Sequence, residues 1–333
     1  MKEKLFLVGK KLLGKKLYND LRARHLFRDF KSPFPLYKSD PYEIDWSSYT
    51  KVHKSHSIPV TYIISPTQRS GTNFLSQVLN KHPKLEFPTG DNMPDEHCLY
   101  SYSKFLKDYS STTVSTWSKW LKGDSKKIDA SSKALMHSLG YGLLSYLRRY
   151  IEEESILLLK TPDAGNIESV FHLFPNAKVI LLVRDGRDTI ESFSKSWGGD
   201  GAFKNMCKRW DDRVKQIIKF REQADASDKK DDYLIVKYDE LNDNTSTQVA
   251  KILEFLHLDQ ESFPWDELSD VPILGSSTTK NNDDHVHWDP VKKDQTFSPN
   301  KKWGLWSNRK KNIFKKYAGK SLIDLGFAED NSW

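Results

Sequence analysis

The chain has 333 residues, with 52 lysines and arginines against 45 aspartates and glutamates, so its formal net charge is +7. A hydrophobic fraction of 37% and an aromatic fraction of 12% are enough for a packed core and exclude a disordered chain. Two cysteines, Cys98 and Cys207, exclude a disulfide framework and favour a reducing compartment. The positive charge suits an anionic ligand; nucleic acid is the second candidate, but no nucleic-acid-binding motif is present.

Residues 1–58 are predicted to form a basic helix followed by an irregular arm. Leu5, Val8, Leu12 and Leu13 fall near one helical face, and lysines surround them. Such a helix either contacts a membrane surface or packs on the remainder of the protein. Its apolar stretch is too short for a signal peptide, and the sequence has no run long enough for a transmembrane helix. We therefore expect a cytoplasmic protein, with peripheral membrane contact as the alternative.

The next segment has the order strand, loop, helix. A β-branched run, Val60–Ile64, is followed by a loop that contains Arg69 and Gly71, and then by the helical pattern of residues 74–79. Amide groups of such a loop and of the first helical turn point at one spot, where the helix dipole favours an anion. The loop lacks the G-x-x-x-x-G-K-[ST] pattern of ATP-binding loops. It predicts a phosphate-type site without a strong requirement for magnesium; the alternative is an ordinary turn with a surface arginine.

Residues 88–135 are predicted to form a helical, loop-rich insertion with several aromatic residues. A long helix is predicted over Ser131–Glu154, and a strand over Ile156–Leu159, with Lys160 directly after it. Two acidic residues near the start of the insertion, Asp95 and Glu96, precede an apolar stretch that would raise a carboxyl pKa by desolvation.

A second strand with polar residues at its end is predicted over Lys178–Val183. Its continuous apolar character is typical of a strand that is buried on both faces of a parallel sheet. Arg184 follows it, and Ser192 lies on the next helix. An arginine at a strand end and a helix hydroxyl can together bind a phosphate. The alternative is that Arg184 and the neighbouring Arg187 form salt bridges with Asp185 or Asp188.

The remainder of the chain contains a predicted helix, Ala202–Ala226, and a strand that ends before Tyr238. Residues 259–302 have weak periodicity, and a loop of this length is usually functional. Ligands of parallel sheets bind beyond the carboxyl ends of the strands. The side chains of Arg69, Lys160, Arg184 and Tyr238 are therefore expected to converge, within a single domain that spans residues 59–333.

Together these segments resemble the sulfotransferases that use 3′-phosphoadenosine-5′-phosphosulfate (PAPS). The Arg69-Ser70-Gly71-Thr72 loop and the strand-end Arg184, with Ser192 eight residues later, carry the resemblance. The match is closer to carbohydrate-type and bacterial-type members than to phenol and steroid enzymes, which have a histidine where this chain has Pro162. The resemblance implies an α/β fold with a P-loop-like parallel sheet flanked by helices, and a loop at about residues 259–302 that covers the nucleotide.

The resemblance also implies roles for individual residues on the nucleotide side. The 5′-phosphosulfate would be held by Arg69, Ser70, Gly71, Thr72 and Asn73. Phe74 and Tyr238 would contact the adenine; the alternatives are helix core for Phe74 and strand-end packing for Tyr238. The 3′-phosphate would be held by Arg184 and Ser192, with Ser276, Ser277 and Lys302 completing the pocket, although Lys302 could equally be a solvated charge.

On the acceptor side, family members often place a catalytic carboxylate shortly after the first helix, and here Asp95 or Glu96 is the predicted base. Lys160 would contact the bridging oxygen or the substrate, or form an ion pair. The predicted reaction transfers the sulfuryl group of PAPS to a hydroxyl of a sugar, lipid or small alcohol, with no metal. A P-loop kinase-like phosphotransferase and a non-catalytic nucleotide-binding protein are the alternatives.

Overall fold

The fold is built on a parallel sheet of five strands. The computed structural model describes residues 58–90, 93, 95–121, 125–272, 274 and 299–333. Within them the sheet has the order β2-β3-β1-β4-β5. The strands are β1 Val60–Ile64, β2 Leu85–Glu86, β3 Ile156–Thr161, β4 Ala177–Val183 and β5 Tyr233–Lys237. The three central strands are almost completely buried, in keeping with their largely apolar sequences.

Helices cover both faces of the sheet, which confirms the predicted α/β fold class. They are α1 Thr72–Leu79, α2 Ser103–Leu121, α3 Ser125–Arg148, α4 Val170–Leu173, α5 Gly186–Phe193, α6 Gly199–Asp225, α7 Tyr238–Asp243, α8 Thr245–Phe255 and α9 Asn308–Asp324. A π-helical turn, Ser194–Gly198, joins α5 to α6, and a 3₁₀ turn, Lys302–Leu305, precedes α9. Among the described helices, none is both long and apolar enough to cross a bilayer.

The sheet separates two hydrophobic cores. One core contains Tyr62, Leu159 and Val183 of the strands, together with Trp210 of α6 and Phe314 of α9. The other core lies on the opposite face, where Ile63, Leu158, Leu182, Leu75 and Leu253 pack together. Because side chains of a strand alternate between faces, Lys160 follows Leu158 on the second face.

The register of the sheet brings the strand ends into line. Ile64 of β1 lies opposite Thr161 of β3 and Leu181 of β4, and Val183 lies opposite Lys237 of β5. Residues that follow these strands therefore lie along one edge of the sheet. Lys160 differs slightly from the prediction, because it is the second-last residue of β3 and does not follow the strand.

Several element boundaries differ from those predicted. The helix predicted over Ser131–Glu154 is α3, which begins and ends earlier, at Ser125 and Arg148. Three consecutive glutamates at 152–154 are unfavourable at a helix C-terminus, where the dipole is negative. The prediction for α6 was correct to within three residues. Residues 1–57, Ser276 and Ser277 lie outside the described part of the chain, so the predictions for them remain predictions.

Candidate functional site

The loop between β1 and α1 is tied together by its own hydroxyl groups. The buried hydroxyls of Ser65 and Ser70 both donate hydrogen bonds to the carbonyl of Thr67, at 2.9 and 2.8 Å. Two loop residues have positive φ angles, Arg69 at 72° and Gly71 at 93°. These angles turn the chain sharply into α1, so the first amides of the helix face the loop.

Gly71 is required by packing as well as by its backbone angle. A Cβ atom at this position would overlap the ring of Tyr238, the first residue of α7. Tyr238 is buried, and its ring lies edge-on to that of Phe74, with the centroids 6.5 Å apart. Burial also raises the pKa of the Tyr238 hydroxyl. The two aromatic residues predicted to contact adenine are therefore neighbours beside the loop.

Arg184, at the end of β4, connects the loop to the other elements of the site. Its guanidinium donates to the carbonyl of Arg69 at 2.6 Å and to the carbonyl of Pro299 at 2.5 Å. It also lies 4.8 Å from the centre of the Tyr238 ring. The Nε of Arg69 donates to the hydroxyl of Ser192 on α5, at 3.1 Å. The loop, the end of β4 and α5 thus bring both arginines and the serine into one site.

The two arginines that follow β4 have different surroundings. Arg187 forms a buried ion pair with Asp185, with a shortest distance of 2.6 Å, and its guanidinium contacts the rings of both Trp303 and Trp333. The salt-bridge alternative is therefore what the structure shows for Arg187. Arg184 instead donates hydrogen bonds to backbone carbonyl oxygens, and its buried Nε has no hydrogen-bond partner among the described residues.

Lys302 is brought to the arginines by α5. The carboxylate of Asp188 accepts hydrogen bonds from the backbone amides of Lys301 and Lys302, at 2.7 and 2.6 Å. Burial, together with the positive charges of Arg184 and Lys195, lowers the pKa of the Lys302 side chain to about 8. Cations that are buried beside one another are stabilised by a bound anion.

Arg69 has the same kind of environment. Burial, with a smaller contribution from the charge of Arg184, lowers the pKa of its guanidinium to about 10. A nearby phosphate would remove this penalty, because an opposite charge favours the charged form. Arg69, Arg184 and Lys302 therefore form a positively charged pocket at the loop.

A second cluster lies beside the end of β3. The Nζ of Lys160 donates to the side-chain oxygen of Asn73 at 2.6 Å and lies 5.3 Å from the centre of the Phe87 ring. Lys160 is 5% exposed, and burial lowers its pKa, whereas Asp95 and Glu96 act in the opposite direction. Asn73 is the second residue of α1, so this lysine also reaches the phosphate-type loop.

The two predicted bases differ in their environments. Glu96 is half-buried, and burial raises its pKa against the opposing effects of Lys160 and of a hydrogen bond with Gln68. Asp95 is exposed. A base needs a pKa near the working pH and a place within reach of the substrate, so Glu96 fits the role better. Among the described residues, no three His, Cys, Asp or Glu side chains form a group that could hold a metal ion.

Several partners within the site were not predicted from the sequence. Asp188 holds the backbone at Lys301 and Lys302, and the carbonyl of Pro299 accepts from Arg184, although more than a hundred residues separate the partners in each case. Glu191 of α5 similarly accepts from the indole of Trp306 at 2.6 Å. No local pattern indicates such pairs; the only available signal was the run of turn-forming residues before Trp303.

The comparison with protein families decides the assignment. The profile of the sulfotransferase family matches residues 62–262, which include the loop, Lys160, Arg184, Ser192 and Tyr238. The chain belongs to the sulfotransferase family. Sulfuryl transfer is thus its general reaction, and the predicted family is confirmed.

Solved structures with similar folds are more distant. The sulfotransferase domain of the olefin synthase of Synechococcus PCC 7002 is 21% identical, with a TM-score of 0.46, and the match covers 79% of this chain and 96% of that one. A Mycobacterium avium sulfotransferase is 14% identical (TM-score 0.42; 86% and 82% covered). A mouse sulfotransferase complexed with PAP is 13% identical (TM-score 0.42; 84% and 94% covered). No curated protein sequence matches significantly. The assignment of this sulfotransferase therefore rests on the family profile.

Proposed function

We propose that this sulfotransferase uses PAPS as its sulfuryl donor and transfers the group to a hydroxyl of an acceptor. The observation that supports this donor is the pocket of three cations, the buried Arg184 and the partly buried Arg69 and Lys302, beside the loop. A single phosphate would not need all three cations. A nucleotide with phosphate groups at both its 5′ and 3′ positions would use them all.

The proposed donor site has two parts. The loop residues Arg69 to Asn73 would bind the 5′-phosphosulfate through backbone amides and the Arg69 guanidinium. Arg184, Ser192 and Lys302 would bind the 3′-phosphate, with Ser276 and Ser277 as predicted additions. Phe74 and Tyr238, whose rings are neighbours beside the loop, would contact the adenine ring.

In the proposed reaction, the acceptor oxygen forms a bond to sulfur while the bond from sulfur to the phosphate oxygen breaks. The carboxylate of Glu96 takes the proton of the acceptor hydroxyl. Negative charge develops on the departing phosphate oxygen, where Arg69 and Lys160 would stabilise it. The products are the sulfated acceptor and adenosine 3′,5′-bisphosphate, and no metal takes part.

Calorimetric titration with adenosine 3′,5′-bisphosphate tests the donor assignment, with AMP and magnesium–ATP as controls. We expect tight binding of the bisphosphate, much weaker binding of AMP and no preference for magnesium–ATP. A preference for magnesium–ATP would overturn the donor assignment and favour phosphoryl transfer. Binding of the bisphosphate without any turnover of PAPS would favour a non-catalytic nucleotide-binding protein.

The acceptor class is tested by a screen with PAPS. Glucose, 1-octanol and phenol represent sugars, lipid-like alcohols and aromatic alcohols, and release of the bisphosphate reports turnover with each. A carboxylate base can remove the proton of an alcohol of any of these classes, so we propose only that the acceptor group is a hydroxyl. Turnover restricted to an amine acceptor would contradict that choice.

We also propose that residues 59–333 act as one cytoplasmic domain, with membrane contact of residues 1–58 as the alternative.

A further inference from the structure

At the carboxyl end of β3, one edge of the strand is hydrogen-bonded to a non-strand segment that includes a side-chain acceptor. β2 pairs only with Ile156 and Leu157, so the end of β3 extends beyond its partner. The segment that contains His97 lies there instead. The amide of His97 donates to the carbonyl of Lys160 at 3.1 Å, and the amide of Lys160 donates back to the imidazole Nδ1 of His97 at 3.4 Å.

The residues that follow are anchored in the same way. The amide of Cys98 donates to the hydroxyl of Thr161 at 3.0 Å, and the amide of Leu99 donates to the hydroxyl of Tyr62 at 3.3 Å. The His97 ring also packs against Phe87, with the centroids 4.8 Å apart. This segment therefore lies on the sheet through side-chain acceptors, and the imidazole replaces the carbonyl that an adjacent strand would supply.

This arrangement determines where two groups of the proposed reaction lie. Glu96 directly precedes His97 and interacts with Gln68 of the loop, whereas Lys160 reaches Asn73 at the start of α1. The two bonds between His97 and Lys160 thus fix the distance between the proposed base and the proposed charge-stabilising lysine. Small displacements of such groups have large effects on rate.

We propose that His97 is a positioning residue. Its neutral imidazole accepts a hydrogen bond from the Lys160 amide and so keeps Glu96 and Lys160 at a fixed distance from each other on the acceptor side. The inference rests on the proposed function. Acceptance at Nδ1 requires the tautomer with its proton on Nε2, which is buried and has no partner among the described residues. Burial and the charge of Lys160 lower the pKa of His97 to about 4, so the ring stays neutral near pH 7.

The test compares two substitutions. His97→Phe keeps a ring of similar size and removes the acceptor, whereas His97→Asn keeps an acceptor near the position of Nδ1. With PAPS and the best acceptor of the screen, we expect His97→Phe to lower kcat by roughly 10- to 100-fold. We expect His97→Asn to recover most of that loss. Affinity for adenosine 3′,5′-bisphosphate should stay within about twofold in both variants, because the cation pocket is not touched.

Equal loss in both variants, unchanged kcat in His97→Phe, or a parallel loss of bisphosphate affinity would each overturn the proposal. His137→Phe is the matched control, because that histidine of α3 is also 8% exposed and lies near Val60 and Ala177, at the amino ends of β1 and β4 and away from the carboxyl ends where the site lies. Its kcat should be unchanged. If His97→Phe does not fold, Thr161→Val removes the neighbouring acceptor of the same segment and should lower kcat in the same way, by a smaller factor.

A readout without turnover separates this proposal from the proposed function. Nitrogen-15 spectra of the full chain should show His97 with an unprotonated Nδ1 between about pH 5.5 and pH 8. The amide of Lys160 should exchange slowly in the wild type and faster in His97→Phe. A protonated Nδ1 or an unaltered exchange rate would overturn the positioning role even if PAPS turnover is found. Absence of bisphosphate binding would instead overturn the function and leave this contact intact.

Discussion

The two halves of the site differ in how charge is arranged. On the nucleotide side, burial and, to a smaller extent, the charges of neighbouring cations lower the pKa of Arg69 and of Lys302, which lie beside Arg184. On the acceptor side, Lys160 faces carboxylates, and Glu96 is the partly buried one. The first half favours a multiply charged anion. The second half combines a lysine with carboxylates, one of which could accept a proton.

This difference separates binding from chemistry. Substitutions on the nucleotide side should mainly change affinity, and substitutions on the acceptor side should mainly change rate. Arg69 is the exception, because it belongs to the cation pocket and also faces the bond that breaks in the proposed reaction. Its variant is therefore the strongest test of the division.

The largest effect is expected for Arg69→Ala. Loss of a donor that stabilises developing charge should lower the single-turnover rate with PAPS by roughly 10²- to 10³-fold. Arg209→Ala is the control, because Arg209 is a half-exposed arginine that pairs with Asp163 at 2.8 Å. A rate within tenfold of the wild type in Arg69→Ala would remove this residue from the chemical step.

Glu96→Gln should have the next largest effect. Removal of a general base should lower kcat by about 10²-fold, whereas bisphosphate affinity stays the same. Burial raises the pKa of Glu96, and the base must be deprotonated. In the wild type, kcat should therefore rise as pH increases through that pKa, and this rise should be absent in Glu96→Gln. Asp95→Asn is the matched control; a larger effect there would transfer the role to Asp95.

Arg184→Ala should act on binding. Loss of the arginine's contact with the 3′-phosphate should weaken the bisphosphate by roughly 10- to 100-fold in calorimetric titration. Binding of AMP, which lacks the 3′-phosphate, should change much less. Arg187→Ala should instead lower the thermal midpoint, because it breaks a buried ion pair. An unaltered bisphosphate affinity in Arg184→Ala would contradict the assignment of Arg184 to the 3′-phosphate.

The smallest effect concerns the protonation of Lys302. Its pKa of about 8 in the free protein should rise when a phosphate binds, so binding takes up a proton above that pH. Bisphosphate affinity should therefore fall by up to about tenfold between about pH 7 and about pH 9. Titrations in buffers of different ionisation enthalpy measure the uptake. In Lys302→Met the uptake should disappear; if it persists, another group is responsible.

The sequence was most informative where a short segment contains both a strand and its ligand-binding residue. Val60–Ile64 was predictable from its β-branched residues, and the strand before Arg184 from a continuous apolar run that is typical of buried parallel strands. Convergence of Arg69, Arg184 and Tyr238 followed from the geometry of parallel sheets. The short strand β2 was missed, since two residues produce no detectable alternation.

Contacts between distant segments were not predictable. The sequence suggested Asp188 only as a salt-bridge partner of an arginine, yet it accepts two backbone amides before α9. The pairing of His97 with Lys160 depends on how far β2 extends, which one sequence does not determine. In both cases a side chain accepts a hydrogen bond from a backbone amide of a remote segment. Such pairs have no characteristic spacing in the sequence.

Gly71 and Tyr238 are far apart in the chain, but the effects of substitutions at the two positions depend on each other. Any larger residue at 71 requires the ring at 238 to move, and a smaller residue at 238 would leave a gap beside the loop. Directed evolution toward other sulfuryl donors would therefore meet epistasis at this contact. Libraries that randomise both codons together would sample combinations that stepwise substitution discards.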